Sequence, residues 1–347
     1  MARTMIKSGI PLSGARHLIL GPLVFAAATG ALAAFLVGIC PTHVHGADIK
    51  MKLQEREAPG STKLAATPAK YSEVSRVPVP MEQVRGIATD PEDRIYVCGD
   101  MSIQIMDKNG RPLSRIPLEE PPRCMACGRD GLIYIGMQEH VEVYDTKGLR
   151  REVWSGLGEE AIITSVAAAG EDVYIADAGN EMVMHFDRGG RLLGYIGKKS
   201  ESREECEEGD CFVVPSHFFD VAAGNNGTIW VVNFGKHRLE NYTGGGKFKH
   251  SWGFFSENLE GFSGCCNPTH FAITSNGSFV TSEKGITRVK LYKPDGTFDR
   301  IIADPDQFEK GTVGLDLAVD SHDRVLVLDP TKRSVRIFQE VRVTEDE

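Results

Sequence analysis

One pattern recurs six times in this chain and constrains its fold more than any other feature. The segments RGIATD (85–90), RCMACG (123–128), TSVAAA (164–169), FDVAAG (219–224), THFAIT (269–274) and LDLAVD (315–320) carry alanine at their fourth place, with an apolar residue just before it. A turn follows each: PEDR, RDG, GED, NNG, SNG or SHDR. A second apolar run comes next, IYVC, IYIG, VYIA, IWVV, SFVT or VLVL, and then a third, such as IQIMD, VEVYD or VRIFQ. A fourth segment is visible after most of them. Four short antiparallel strands at a repeat of about 40–50 residues describe propeller blades. The alanines have a steric reason. Innermost strands crowd at the axis, and a larger side chain there would meet the neighbouring blade.

The expected fold is therefore all-β, a six-bladed β-propeller over residues 72–343. The last repeat lacks a clear fourth strand, and SEVSRVPVP (72–80) can supply it. That pairing removes an open sheet edge.

Residues 1–46 read differently. Arg3, Lys7 and Arg16 precede an uncharged apolar run at 18–40, and no acidic residue occurs before Asp48. The run is long enough to cross a bilayer, which takes about 20 residues. Pro41 then breaks it, and Val44-His45-Gly46 resembles a small-residue cleavage site. Residues 1–46 are thus expected to be a signal peptide or an N-terminal membrane anchor. Either places the remainder outside the cytoplasm, secreted or periplasmic, because the positive flank stays inside. Residues 47–71 read as a flexible linker and residues 344–347 as an acidic tail. The net charge of −9 argues against a nucleic-acid partner.

Blade three carries VYIADAGN (173–180) and HFD, and blade four carries IWVVNFGKHRLENY. On these residues the chain resembles the NHL-repeat β-propellers over about residues 72–343. The resemblance implies the six-bladed fold and a module that docks a protein or small-molecule ligand at its mouth. Related propellers include the peptidylglycine amidating lyases, which hold zinc through histidines directly after proline. The matching places here are Arg85, Arg123, Thr164, Phe219, Thr269 and Leu315, so that activity does not carry over.

The register singles out a second row. Two residues before each alanine stand Gly86, Cys124, Ser165, Asp220, His270 and Asp316. Strand side chains alternate with period two, so this row shares the alanines' orientation. Cys, Asp and His are metal ligands by type. They also serve simply to hydrogen-bond backbone around a wet channel. Cys265 and Cys266 sit in the loop entering blade five. The sequence thus offers a divalent or soft transition metal, or a thiol-redox centre, at Cys124, Cys265, Cys266, His270, Asp220 and Asp316. The alternative to a binding module is a metal-dependent propeller enzyme, of lyase or hydrolase type, at the same mouth. Cys124 and Cys127 are three apart in a strand and face opposite sides, so Cys127 reads as core. Cys206 and Cys211 flank the acidic insertion ECEEGDC and are expected to form a disulfide, which an extracytoplasmic compartment permits.

Overall fold

The computed structural model describes residues 69–197 and 207–342. These residues form six four-stranded antiparallel sheets, the blades of a propeller. Blade one comprises Val84–Thr89, Ile95–Gly99, Ser102–Met106 and Pro112–Pro117 from the axis outward. Blade two comprises Cys124–Cys127, Leu132–Gly136, Val141–Asp145 and Arg150–Trp154, and blade three Ile163–Ala169, Asp172–Asp177, Met182–Asp187 and Leu192–Ile196. Blade four comprises Val221–Ala223, Thr228–Asn233, Arg238–Thr243 and Phe248–Trp252. Blade five comprises His270–Ile273, Phe279–Glu283, Arg288–Tyr292 and Phe298–Ala303.

Blade six is built from both ends of the described chain. Asp316–Val319, Val325–Asp329 and Ser334–Arg342 supply three strands, and Ala69–Pro78 pairs antiparallel with Ser334–Arg342 as the outermost one. This is the closure expected from SEVSRVPVP. The strand begins earlier, at Ala69, because the backbone of residues 69–71 pairs with residues 340–342. Val77, Val79 and Met81 then pack with Ile87, Val97, Ala318 and Leu328, so the join between first and last blades is a hydrophobic core.

Burial peaks at the second strands and falls from there outward, and this explains the sequence pattern. The second strands Ile95–Gly99, Phe279–Glu283 and Val325–Asp329 are buried at every residue. They lie between other strands and between other blades, so both faces must be apolar or paired. The fourth strands Pro112–Pro117 and Arg150–Trp154 each bury one residue. Water on most sides leaves them little hydrophobic requirement. The turns between third and fourth strands use one device. Asp145 Oδ1 accepts the backbone N–H groups of Lys147 and Leu149, and Gly148 holds φ 84. Asp107 and Asp187 do the same two and four residues on.

Polar clasps join blade to blade on both faces. At the turns between first and second strands, Asp93 accepts the N–H and hydroxyl of Ser321 at 2.8 and 2.9 Å, linking blades six and one. Asp323 accepts the N–H of Ser275 at 2.7 Å and its hydroxyl at 2.5 Å, linking blades five and six. Among the described residues no helix is long and apolar enough to cross a membrane. The expected leader, residues 1–46, lies outside the described residues, as do residues 47–68 of the linker and the tail.

Candidate functional site: the axial channel

The innermost strands surround a channel of about 530 Å³. All six repeat alanines, Ala88, Ala126, Ala167, Ala222, Ala272 and Ala318, line it. The residues of opposite parity, Thr89, Cys127, Ala168, Ala223, Ile273 and Val319, border it too. An innermost strand meets the axis edge-on, so both of its faces reach the channel. Cys127 is half-buried, packs on the blade-one and blade-two core, and has its thiol pushed well up by burial.

Of the row two residues before the alanines, Cys124, Ser165, Asp220, His270 and Asp316 all line the channel. His270 stands between the two carboxylates, its Nδ1 3.5 Å from Asp316 Oδ1 and 3.8 Å from Asp220 Oδ2. Each carboxylate also holds backbone. Asp220 Oδ2 accepts the N–H of Phe271 in the next blade at 2.9 Å, and Oδ1 accepts that of Val221 at 3.0 Å. Asp316 repeats this across the closure, with Ile87 N–H at 2.8 Å and Leu317 N–H at 2.8 Å. Ser165 Oγ accepts the N–H of Val221 at 3.3 Å. One row therefore clasps three blade junctions. Burial raises the Asp220 and Asp316 carboxyls above the ordinary aspartate range, and the His270 charge opposes that rise.

Cys124 is buried on the channel wall, with its Sγ against the backbone of Gly136. A methyl group added at Gly136 would lie 2.4 Å from that sulfur. Burial, then the charge of Cys98, pushes the Cys124 thiol well up, and burial pushes Cys98 up to about 12. Burial thus disfavours a free thiolate at either position.

The two cysteines of the blade-five loop lie elsewhere. Neither Cys265 nor Cys266 lines the channel. Cys265 is exposed, whereas Cys266 is buried in the cluster that contains Phe219, Phe262 and Phe271. Their sulfurs lie 3.2 Å apart as free thiols. Burial, then the Cys265 contact, raises the Cys266 thiol, and the Lys284 charge opposes this. Asn267 fixes the loop. Its Nδ2 donates to Ser263 O and Lys284 O at 2.6 and 2.9 Å, and its Oδ1 accepts the Lys284 N–H at 2.9 Å. Lys290, buried beneath, donates to Gly261 O at 2.6 Å and Leu259 O at 3.0 Å. So the six candidate ligands divide into four on the channel wall and a vicinal pair outside it.

Among the described residues, the His, Cys, Asp and Glu group whose donor atoms all lie within 4.8 Å of one another is Asp93, Asp320 and His322. It belongs to the clasp between blades six and one. Asp320 Oδ1 accepts two backbone N–H groups, and its Oδ2 pairs with Arg324 Nε at 2.5 Å. Asp93 is taken by Ser321 and by His322 Nδ1 at 3.0 Å. The expected Cys206–Cys211 bridge lies outside the described residues through Cys206. Cys211 is buried and is not one of the free thiols.

The lining also includes His217, Phe218, Arg85 and Arg123. His217 stands just before the blade-four row, and the repeat register places it near the channel. Phe218 meets His270 edge-on at 5.8 Å and carries Lys284 Nζ over its ring at 4.8 Å. Arg85 and Arg123 stand directly before Gly86 and Cys124. In the sequence they register only as places where a related enzyme carries histidine, and the signal that marks them is their recurrence at one repeat position.

No protein-family profile and no curated protein matches the sequence. Solved structures do: 1119 chains match, so the architecture is widespread and carries no single function. One is a structural genomics protein of unknown function from Bacteroides thetaiotaomicron. It is 12% identical, with a TM-score of 0.55, over 79% of this chain and 76% of that one. The likeness is one of fold. The chain is thus a six-bladed β-propeller.

Proposed function

We propose that this protein is an extracytoplasmic propeller of the NHL type that binds a small ligand in its axial channel. The observation that carries the reading is His270 held between Asp220 and Asp316 on the wall of a channel of about 530 Å³. That volume lies in the range of small-molecule pockets, about 300–1,000 Å³, and the polar groups that converge on the wall, Asp220, His270 and Asp316 among them, suit orientation of a polar ligand. The uncharged run at 18–40 behind a positive flank supports export or anchoring. A fusion of residues 1–46 to a reporter active only outside the cytoplasm checks that part, and activity confined to the cytoplasm contradicts it. For the ligand, a thermal-shift screen of neutral and charged metabolites against the wild type and His270→Ala is decisive. Hits that vanish in His270→Ala support the channel. Hits that all persist unchanged in it contradict the channel.

A second reading is favoured by the 3.2 Å contact of Cys265 and Cys266. Soft-metal chemistry in this protein belongs with that vicinal pair, with both thiols losing their protons to a thiophilic divalent ion. Cadmium bound at one equivalent and lost in Cys265→Ser supports this. Identical binding in that variant contradicts it.

A further inference from the structure

The channel mouth carries two arginines without acidic partners. Arg85 and Arg123 line the channel, and neither makes a salt bridge among the described residues. Their backbones adjoin because blades one and two abut here. A Cβ at Gly86 would lie 3.2 Å from the Cα of Cys124, and the arginines are the residues immediately before these two. Arg123 is half-buried and held in place. Its Nε donates to Ile163 O at 2.9 Å and its Nη1 to Gln138 Oε1 at 2.7 Å. Arg85 is exposed, and its Nη2 donates to Gln83 Oε1 at 3.0 Å. All three acceptors are neutral. Two arginines on adjoining strands, one of them partly desolvated, therefore lack an acidic partner on a chain whose net charge is −9. Burial lowers the pKa of Arg123, Cys124 opposes this, and the charge of Arg85 adds to the lowering.

Partial burial of the Arg123 charge without an acidic partner costs free energy that a bound anion would offset. Planar guanidiniums recognise carboxylates and phosphates through paired N–H donors. Asp220 and Asp316 elsewhere on the wall repel an anion. Together these features fix a polarity for the ligand.

We infer that Arg85 and Arg123 bind the anionic head, a carboxylate or phosphate, of a small organic ligand. Its other end is neutral or cationic and faces the Asp220, His270 and Asp316 side of the channel. This inference rests on the channel reading above and adds the chemical class of the ligand.

The test uses calorimetric titration of the full chain with inorganic phosphate and, separately, with 4-aminobutyrate, at ionic strength fixed with chloride. Saturable binding of either probe is expected, weakened at least tenfold in Arg85→Ala/Arg123→Gln. Phosphate binding alone assigns a phosphoryl head, and aminobutyrate binding alone a carboxylate. The double variant Arg85→Lys/Arg123→Lys keeps the charges but not the fork, and is expected to fall between. Lys310→Gln, an exposed lysine outside the channel lining, serves as the charge control and is expected to bind like the wild type. Where an Arg123 variant does not fold, Arg85→Ala alone carries the test, since Arg85 is exposed. Absence of saturable binding by both probes overturns the inference. So does wild-type affinity for both in the folded Arg85 variant. Neutral screening hits that depend on His270, alongside failure of both anions, leave the channel reading standing and remove only the anion.

Discussion

The carboxylate of Asp316 accepts the backbone N–H of Ile87 at 2.8 Å, across the junction where blade six meets blade one. Asp220 makes the same bond to Phe271 between blades four and five. A side chain that also faces the channel thus helps hold the ring closed. Asp316→Ala removes the acceptor of two strand N–H groups, Ile87 and Leu317. The expected loss is about 1–3 kcal/mol of unfolding free energy. Asp316→Asn keeps one acceptor and should lose less. Urea titration of both variants measures this, and an alanine variant as stable as the wild type removes the clasp from the account.

Packing of Cys124 against Gly136 gives a coupled pair. Gly136→Ala places a methyl group 2.4 Å from Cys124 Sγ and 2.7 Å from Ile163 Cγ2. Overpacking of this kind costs about 1–3 kcal/mol. Cys124→Ala relieves one of the two collisions. The double variant should therefore be more stable than the sum of the single effects allows. Strict additivity in a urea cycle contradicts the contact.

The aspartates of the two faces respond oppositely to pH. Burial opposes ionisation of Asp93, but the N–H and hydroxyl of Ser321 and the charge of His322 outweigh it and hold its carboxyl below the ordinary range. Its contribution to stability is present above the unfolded-state pKa, about 3.9, and is lost as pH falls through the lower folded value. Burial raises Asp220 and Asp316. Their protonated forms favour the fold below the unfolded pKa, and that contribution is lost as pH rises through the folded values. Asp93→Asn should thus lose stability at pH 7 while approaching the wild type in acid. Thermal melts from pH 2.5 to 7 check this, and a pH-independent difference contradicts it.

Thiol accessibility separates the cysteines. Cys265 is exposed, whereas Cys98, Cys124 and Cys266 are buried. A monofunctional alkylating reagent on native protein should label Cys265 first, and Cys265→Ser should abolish the fast phase. Equal labelling of Cys124 would mean that the channel wall is open to the reagent.

The sequence made the inner half of every blade readable and the outer half less so, for one physical reason. The alanine row and the IYVC-like strands answer to crowding and burial, which restrict residue choice. The fourth strands, such as Pro112–Pro117, face water and carry no such constraint. The closing strand was legible because Val77 and Val79 alternate into the core. The channel row was legible from register alone, since strand parity places Asp220, His270 and Asp316 together. Register does not say how far a loop side chain reaches. Cys265 and Cys266, only a few residues before His270, therefore lie off the channel, with Cys266 drawn into a phenylalanine cluster. Nor does register show that Arg85 and Arg123 lack acidic neighbours, which is a property of the assembled mouth.

The most direct test of the account is a crystal structure of the protein with the tightest compound from the metabolite screen. Electron density is expected inside the axial channel, touching His270 and with the anionic group of the compound against Arg85 or Arg123. Density on the outer surface, with solvent alone in the channel, would contradict it.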